Sequence, residues 1–328
     1  MNITVEELKN LTKKILSGYG YSSSEVEIVS DVILYAQLRG NNQGVVKLLG
    51  DSLKKDSEAS DITIVRETKL SALLNGNKNI GMVVMNEATK RAITKAAEHG
   101  FGIVGTQNTA SSTGAIGYYV RKIAEAGFMG FAFSGSPETV PMHGSYEPMF
   151  GTNPLAIGIP SNDKPIVFDM ATSAMAYFGL IQAKTAGQKI PADVAMDSEG
   201  NQTTDPSKAM DGAILPFDRG YKGASLSMMV EVFTGPLVGS TFAGIGNGDW
   251  GNLVYAIDPE LLVDKSIFTK QVSELIAQVK SSKKSPGIDQ IYVPGERGDQ
   301  IMQKCLQKNS IEIEDNLYKG LSTRASTL

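Results

Sequence analysis

The sequence predicts an α/β fold, and three observations carry that expectation. Short apolar strand candidates and amphipathic helical segments alternate along the whole chain rather than falling into separate halves. The 328 residues, 41% hydrophobic and 20% charged, suffice for one large or two moderate soluble bodies with a sizeable core. No G-x-G-x-x-G stands between a strand candidate and a helix. The nearest glycine clusters, G-A-I-G at 114–117 and G-I-G-N-G at 244–248, lack the spacing and setting of a Rossmann turn.

Taken in order, residues 3–56 read as helical. Thr4 is placed to cap a helix opening V-E-E-L, and Ser22, Ser23 or Ser24 to cap a second, S-E-V-E-I-V-S-D-V-I-L-Y-A-Q-L-R, with apolar spacings of three and four. That helix should stop at R-G-N-N-Q-G, 39–44, and a short amphipathic piece, V-V-K-L-L-G-D-S-L-K-K, follows. I-T-I-V-R-E and K-L-S-A-L-L-N-G read as strands. G-M-V-V-M-N-E-A-T-K-R-A-I-T-K-A-A-E-H-G reads as a helix ending on Gly100. Next come a strand at F-G-I-V-G-T, a helix at G-A-I-G-Y-Y-V-R-K-I-A-E-A-G and a strand at M-G-F-A-F-S. D-S-E-G-N-Q-T-T-D-P, 197–206, reads as an exposed loop. A-S-L-S-M-M-V-E-V-F-T-G-P-L-V-G is apolar nearly all round and predicts a buried helix. A long amphipathic helix over 266–284 precedes a tail beginning I-Y-V-P-G-E-R-G-D.

Charge and composition narrow the function. A net charge of −4 argues against nucleic acid or an anionic membrane as the main partner. No apolar run reaches ~18 residues, and the first ten residues carry no basic segment ahead of an apolar one, so neither a span nor a signal peptide is expected. One cysteine, Cys305, fits a reducing cytoplasm. With two histidines, His99 and His143, and that lone cysteine, no metal site is expected.

The most specific stretch is G-T-N-P-L-A-I-G-I-P at 151–160 with D-M-A-T-S at 169–173: apolar strands with small polar clusters at their ends. Together with R-G-Y-K-G at 219–223, an apolar helix containing Glu231, and P-G-E-R at 294–297, this block resembles the type-2 malate/L-lactate dehydrogenase family. The resemblance runs from R-G-N-N-Q-G to P-G-E-R. It implies a non-Rossmann NAD(P)-binding fold with a mixed or antiparallel central sheet, which accounts for the missing glycine fingerprint. It further implies a cofactor-binding α/β domain over 71–264 and a helical domain built from 1–70 and 265–328. A homodimer, a small carboxylate substrate and NAD or NADP as cofactor follow from the same likeness.

By that resemblance Asp169, Met170, Ala171, Thr172, Ser173, Ala174, Met175, Tyr221, Lys222, Gly295, Glu296 and Arg297 are expected to contact the cofactor. The chemistry suits: hydroxyls and backbone N–H groups for phosphate or ribose oxygens, Lys222 for a pyrophosphate, Arg297 as a planar fork and Glu296 for ribose hydroxyls. Tyr221 stands where the family has histidine in G-H-K-G. Arg39, Asn42, Thr152 and Asn153 are expected at the substrate.

Reduction of a 2-oxo acid needs a proton donor beside the carbonyl oxygen. The family supplies it from histidine in R-G-H-x-S-H-G, and carries a second in N-S-x-H-x-G. Here the matching residues are Gln43 and Ser112 or its neighbour, and Gln43 can orient a carbonyl but cannot supply a proton at neutral pH. His143, in P-M-H-G-S-Y-E-P, is the replacement histidine nearest in sequence to the specific block, so Gln43, Ser112 and His143 are the candidate catalytic residues. The reaction expected is interconversion of a 2-oxo and a 2-hydroxy acid. Two other readings fit the missing histidines: reduction of a cyclic imino acid, whose protonated form already carries its proton, and a silent relative that binds without turnover.

Overall fold

The computed structural model describes residues 1–41 and 43–328. The expected Asn42 contact lies outside the described residues.

A seven-stranded sheet forms the centre. Its strands are β1 (Thr63–Glu67), β2 (Ser71–Asn75), β3 (Phe101–Thr109), β4 (Met129–Ser134), β5 (Leu155–Ile159), β6 (Ile166–Met170) and β7 (Trp250–Ile257). They lie in the order β1-β2-β3-β7-β4-β5-β6. Only β2 and β3 run parallel, and every other neighbouring pair is antiparallel. The mixed sheet expected above is therefore present, and the block 151–173 supplies its edge hairpin, with Leu155 opposite Met170 and Ile159 opposite Ile166.

Ten helices stand among the described residues: α1 (Val5–Gly18), α2 (Ser23–Leu38), α3 (Gly81–His99), α4 (Gly117–Glu125), α5 (Tyr177–Thr185), α6 (Pro206–Asp211), α7 (Tyr221–Thr234), α8 (Lys265–Ser281), α9 (Glu296–Lys308) and α10 (Asp315–Thr327). Thr4 caps α1 by accepting from Glu7 N–H at 3.0 Å. Ser22 and Glu25 form a reciprocal capping box on α2. Gly100 ends α3 in the left-handed conformation, φ 79°.

Strand alternation sends Val104, Ala132, Ala156, Val254 and Ala256 to one face, where α3 and α4 pack in a core shared with α1, α2 and α10. The helices sit unusually close. A Cβ on Gly102 would stand 2.3 Å from the Ala92 carbonyl oxygen, and one on Gly158 2.2 Å from that of Val120, so both positions need glycine. A separate, smaller core joins Val140, Phe150, Leu180, Ile190, Val194, Ala209 and Ile214. That second core carries α5.

Two expectations change. V-V-K-L-L-G-D-S-L-K-K forms two 3₁₀ turns, Val45–Leu49 and Asp51–Leu53, because Gly44 and Gly50 leave room for little more than one turn each. The apolar helix α7 is buried on one side only; Met228, Met229, Val232 and Phe233 stay exposed, since the strands beneath it cover a single face. The C-terminal part beyond α8 is helical, as α9 and α10. Among the described residues no helix is long and apolar enough to cross a membrane.

Candidate active-site cleft

A cleft of about 700 Å³ opens where the loops after β3, β4 and β6 meet the underside of α5 and the 3₁₀ turn at 45–49. Its volume and mixed lining suit a small ligand and part of a cofactor. Ile116, Phe178, Ile181 and Trp250 give it apolar walls, and Gln43, Ser112, Thr152 and Asp169 give it polar ones.

At its inner end stands a residue that the sequence reading passed over. Lys47, 1% exposed, borders the cleft from the 3₁₀ turn. Its ammonium lies 3.3 Å from the centroid of the Phe178 ring and donates to Ser112 Oγ at 2.8 Å. Among the described residues no carboxylate pairs with it. Burial alone holds its pKa well below the ordinary lysine value. A single charge inside the apolar run V-V-K-L-L, immediately after R-G-N-N-Q-G, was the available signal.

Ser112 is equally constrained. Its oxygen accepts from Lys47 Nζ and from Gly114 N–H, the latter at 3.1 Å. A hydroxyl has two lone pairs and one proton, so both acceptor positions are filled. Among the described residues its own O–H finds no protein acceptor, and the side chain borders the cleft.

On the opposite wall, Asp169 ends the edge hairpin. Its Oδ2 accepts from Gly117 N–H at 2.8 Å, the first amide of α4, so the carboxylate caps that helix. Asp169 is open to the cleft yet enclosed by protein around it, and this desolvation raises its pKa to about 6 against the amide bond and Arg39, which both lower it. Met170 and Ala171 continue the same wall.

The remaining expected contacts sit elsewhere. Asn153, fully buried at φ 37°, donates to the Ser227 carbonyl at 3.0 Å and to Glu231 at 2.6 Å, fastening its loop to α7. Thr172 donates its hydroxyl toward the Thr152 and Asn153 carbonyls, and Ser173 to that of Met175, so both hydroxyls are engaged within the protein. Ala174 N–H donates to the Leu215 carbonyl at 2.7 Å. His143 is exposed on the turn between two short strands, with its ring 6.5 Å from that of Tyr221. Tyr221 and Lys222 open α7 and are exposed. None of these residues borders the cleft.

Arg39 has a different setting again. It pairs with Asp299 on α9, donates to the Gly295 carbonyl at 2.8 Å and lies over the Tyr35 ring. Arg121 on α4 donates to the same Asp299 oxygen at 2.6 Å. One buried carboxylate thus joins α2, α4 and α9. Gly295 precedes α9 at φ 88°, Glu296 pairs with Lys280, and Arg297 is exposed in the first turn.

A family model described as malate/L-lactate dehydrogenase matches residues 3–322. The chain is 38% identical, over 98% of its length and 95% of the relative's, to L-sulfolactate dehydrogenase of Methanothermobacter thermautotrophicus. It is 30% identical, over 81% of its length and 84% of the relative's, to a Δ1-pyrroline-2-carboxylate/Δ1-piperideine-2-carboxylate reductase of Pseudomonas aeruginosa. The crystal structure of malate dehydrogenase from Entamoeba histolytica superposes with a TM-score of 0.91 at 26% identity, covering 100% of this chain and 98% of that one. By sequence across almost its full length, the chain belongs to the malate/L-lactate dehydrogenase family.

Proposed function

We propose that the chain is an NAD(P)H-dependent reductase that interconverts a 2-oxo acid and its 2-hydroxy acid in the cleft beside Lys47. One observation carries this reading: Lys47 is the only cationic side chain among the described residues lining that cleft, and it sits at the closed end beside a hydroxyl with a free proton. A buried cation draws a carboxylate to that end, because Coulomb attraction is strong where water is excluded. The apolar walls of Ile116, Phe178, Ile181 and Trp250 fit a flat ring, and the cleft's volume fits a nicotinamide with a three- or four-carbon acid. Asp169, Met170 and Ala171 line the same cleft, which supports the cofactor contact read for them from the sequence. When bound in reduced form it supplies hydride. The protein's part is to fix the acid's carbonyl, keep water out and provide a proton.

Steady oxidation of NADH or NADPH should follow addition of pyruvate, oxaloacetate, 2-oxoglutarate or 3-sulfopyruvate, the last prompted by the sulfolactate relative. Dinucleotide binding without turnover on any of these acids, or on a cyclic imino acid, would instead make the chain a silent binder. A second reading rests on a specific observation: neither of the two histidines lines the cleft. A protonated cyclic imine needs hydride only, and one relative is named for such a substrate. Activity confined to Δ1-pyrroline-2-carboxylate would select it.

We also read the chain as a homodimer. The exposed side of α7 presents Met228, Met229, Val232 and Phe233, and continues to Leu237 at 58% exposure. Beside it the partly buried Phe131 and Phe133 each stack on Tyr255. A second copy would cover an apolar surface of this kind.

A further inference from the structure

We infer that Lys47 and Ser112 form a proton relay, in which Ser112 protonates the substrate oxygen and Lys47 replaces the serine's proton. The inference rests on the 2-oxo acid reading above and says where its proton comes from.

Hydrogen-bond geometry carries the first half. Ser112 Oγ accepts from Lys47 Nζ at 2.8 Å and from Gly114 N–H at 3.1 Å. With both lone pairs filled, its O–H is left to donate, and the cleft is the space it borders. The serine is therefore fixed as a donor. A hydroxyl alone is too weak an acid to protonate a carbonyl oxygen near neutrality, so it needs a proton source behind it.

Lys47 provides that source. The residue is enclosed by Phe178 and by the 3₁₀ turn, and no carboxylate among the described residues stabilises its charge. Enclosure of this kind makes an ammonium a readier acid than in water. The two histidines contribute nothing here, since His143 is exposed on its turn and His99 lies at the end of α3, neither lining the cleft.

The step balances without further reagents. Hydride from the reduced nicotinamide dinucleotide bonds to the carbonyl carbon, and the C=O π pair moves onto oxygen. The Ser112 O–H bond breaks as its proton joins that oxygen. One Lys47 N–H bond breaks as its proton joins Ser112 Oγ. The products are the 2-hydroxy acid, the oxidised dinucleotide, a restored serine and a neutral lysine, which takes a proton from solvent on product release. In the reverse direction the neutral lysine accepts the proton. Ser112 is thus the catalytic residue and Lys47 a positioning and proton-supplying residue behind it.

Arginine separates this role from an electrostatic one. Lys47→Arg keeps a cation and a donor toward Ser112 but does not release its proton below about pH 12. If Lys47 only anchors a carboxylate or packs, K47R should restore activity lost in K47M. A relay predicts that S112A, K47M and K47R all lose kcat, by roughly 10²- to 10⁴-fold for a lost acid. KM in K47R should stay near the wild-type value, and the lysine-dependent limb of the kcat–pH profile should vanish. Dinucleotide binding, followed by NADH fluorescence, should be unchanged in all three.

A readout independent of turnover is the pH dependence of melting. With its folded pKa below the ordinary 10.5, the unfolded chain binds more protons than the folded one between those two values. Wild-type stability should therefore rise relative to K47M with increasing pH across that window. Full K47R activity, an S112A profile matching wild type, or a pH-independent melting difference each overturns the relay while leaving the reductase reading intact. A wild-type protein inactive on every 2-oxo acid overturns that reading and the relay with it.

Discussion

Arg39 opens the pattern R-G-N-N-Q-G and looks like a substrate clamp, yet the structure gives its guanidinium to Asp299, which makes a sharp test possible. Asp299 is buried, with its side chain 8% exposed, and one of its oxygens receives both Arg39, 9% exposed, and Arg121, 18% exposed. Asp299→Ala leaves two cations facing each other with their common anion removed. Breaking such a buried pair costs about 3–5 kcal/mol. At ~2.1 cal/mol/K per residue, 328 residues give an unfolding entropy of roughly 0.7 kcal/mol/K, so the melting temperature should fall by about 4–7 °C. Asp299→Asn should fall too, since it keeps an acceptor but removes the negative charge that both guanidiniums share. Circular dichroism melts at pH 7 measure both, alongside KM for the best oxo acid. A stabilising joint loses melting temperature with KM nearly unchanged. A fall under ~1 °C accompanied by a large rise in KM would place Arg39 on the substrate and refute the assignment.

Two further outcomes follow from other parts of the fold. Asp169 has a folded pKa of about 6 against 3.8 in the free residue, so the folded chain binds more protons in that interval and the stabilising contribution present below pH 3.8 is lost as pH rises through 6. The D169N-minus-wild-type difference in melting temperature should therefore increase between those pH values, and a flat difference would show that Asp169 titrates normally. For the proposed dimer, M229E placed on the exposed side of α7 should halve the mass seen by light scattering while leaving the far-ultraviolet spectrum unchanged. An unchanged dimer mass would move the interface away from that helix.

The sequence makes the periodic parts of this fold legible and leaves obscure the parts set by three-dimensional enclosure. Thr4 and Ser22 announce their helices through local hydroxyl–amide bonds, and Gly100 announces an end through its left-handed backbone. The block 151–173 is legible as an edge hairpin because short apolar runs bounded by small polar residues have few other uses. Helix α5 escaped notice because Y-F-G-L-I-Q-A-K-T is apolar without a clear period. Among the site residues, Gln43, Ser112, Thr152, Asp169, Met170 and Ala171 do meet at one cleft, although they come from distant parts of the chain. Arg39 and Asn153 carry polar groups as suitable for a ligand as any, but their partners Asp299, Ser227 and Glu231 lie 74 to 260 residues away, and no local pattern reports such pairings. Lys47 is obscure for the opposite reason: its one sequence signal is a lone charge within V-V-K-L-L, which an amphipathic turn explains equally well, and burial is what sets it apart.

That burial has an energetic consequence that joins stability to ligand binding. An ammonium enclosed without a carboxylate is a cost that the ligand-free fold bears, eased by the Phe178 ring and the Ser112 hydroxyl but not cancelled. On the function proposed above, a bound 2-oxo acid brings the missing negative charge to Lys47. Its binding free energy therefore contains a contribution that depends on Lys47 being charged, and the bound acid should in turn raise the lysine's affinity for its proton. Oxamate, an unreactive isostere of pyruvate, isolates this coupling in the presence of NADH. At 100-fold above its dissociation constant it should stabilise the wild-type protein by about 2.7 kcal/mol, or roughly 4 °C for a chain of this length. The same concentration should shift K47M by less, whereas K47R, which retains the cation, should keep most of the shift. The relay requires K47R to fail in turnover while succeeding here, so one substitution separates attraction of the carboxylate from delivery of the proton. Equal oxamate shifts in wild type and K47M would show that the buried charge and the ligand do not meet.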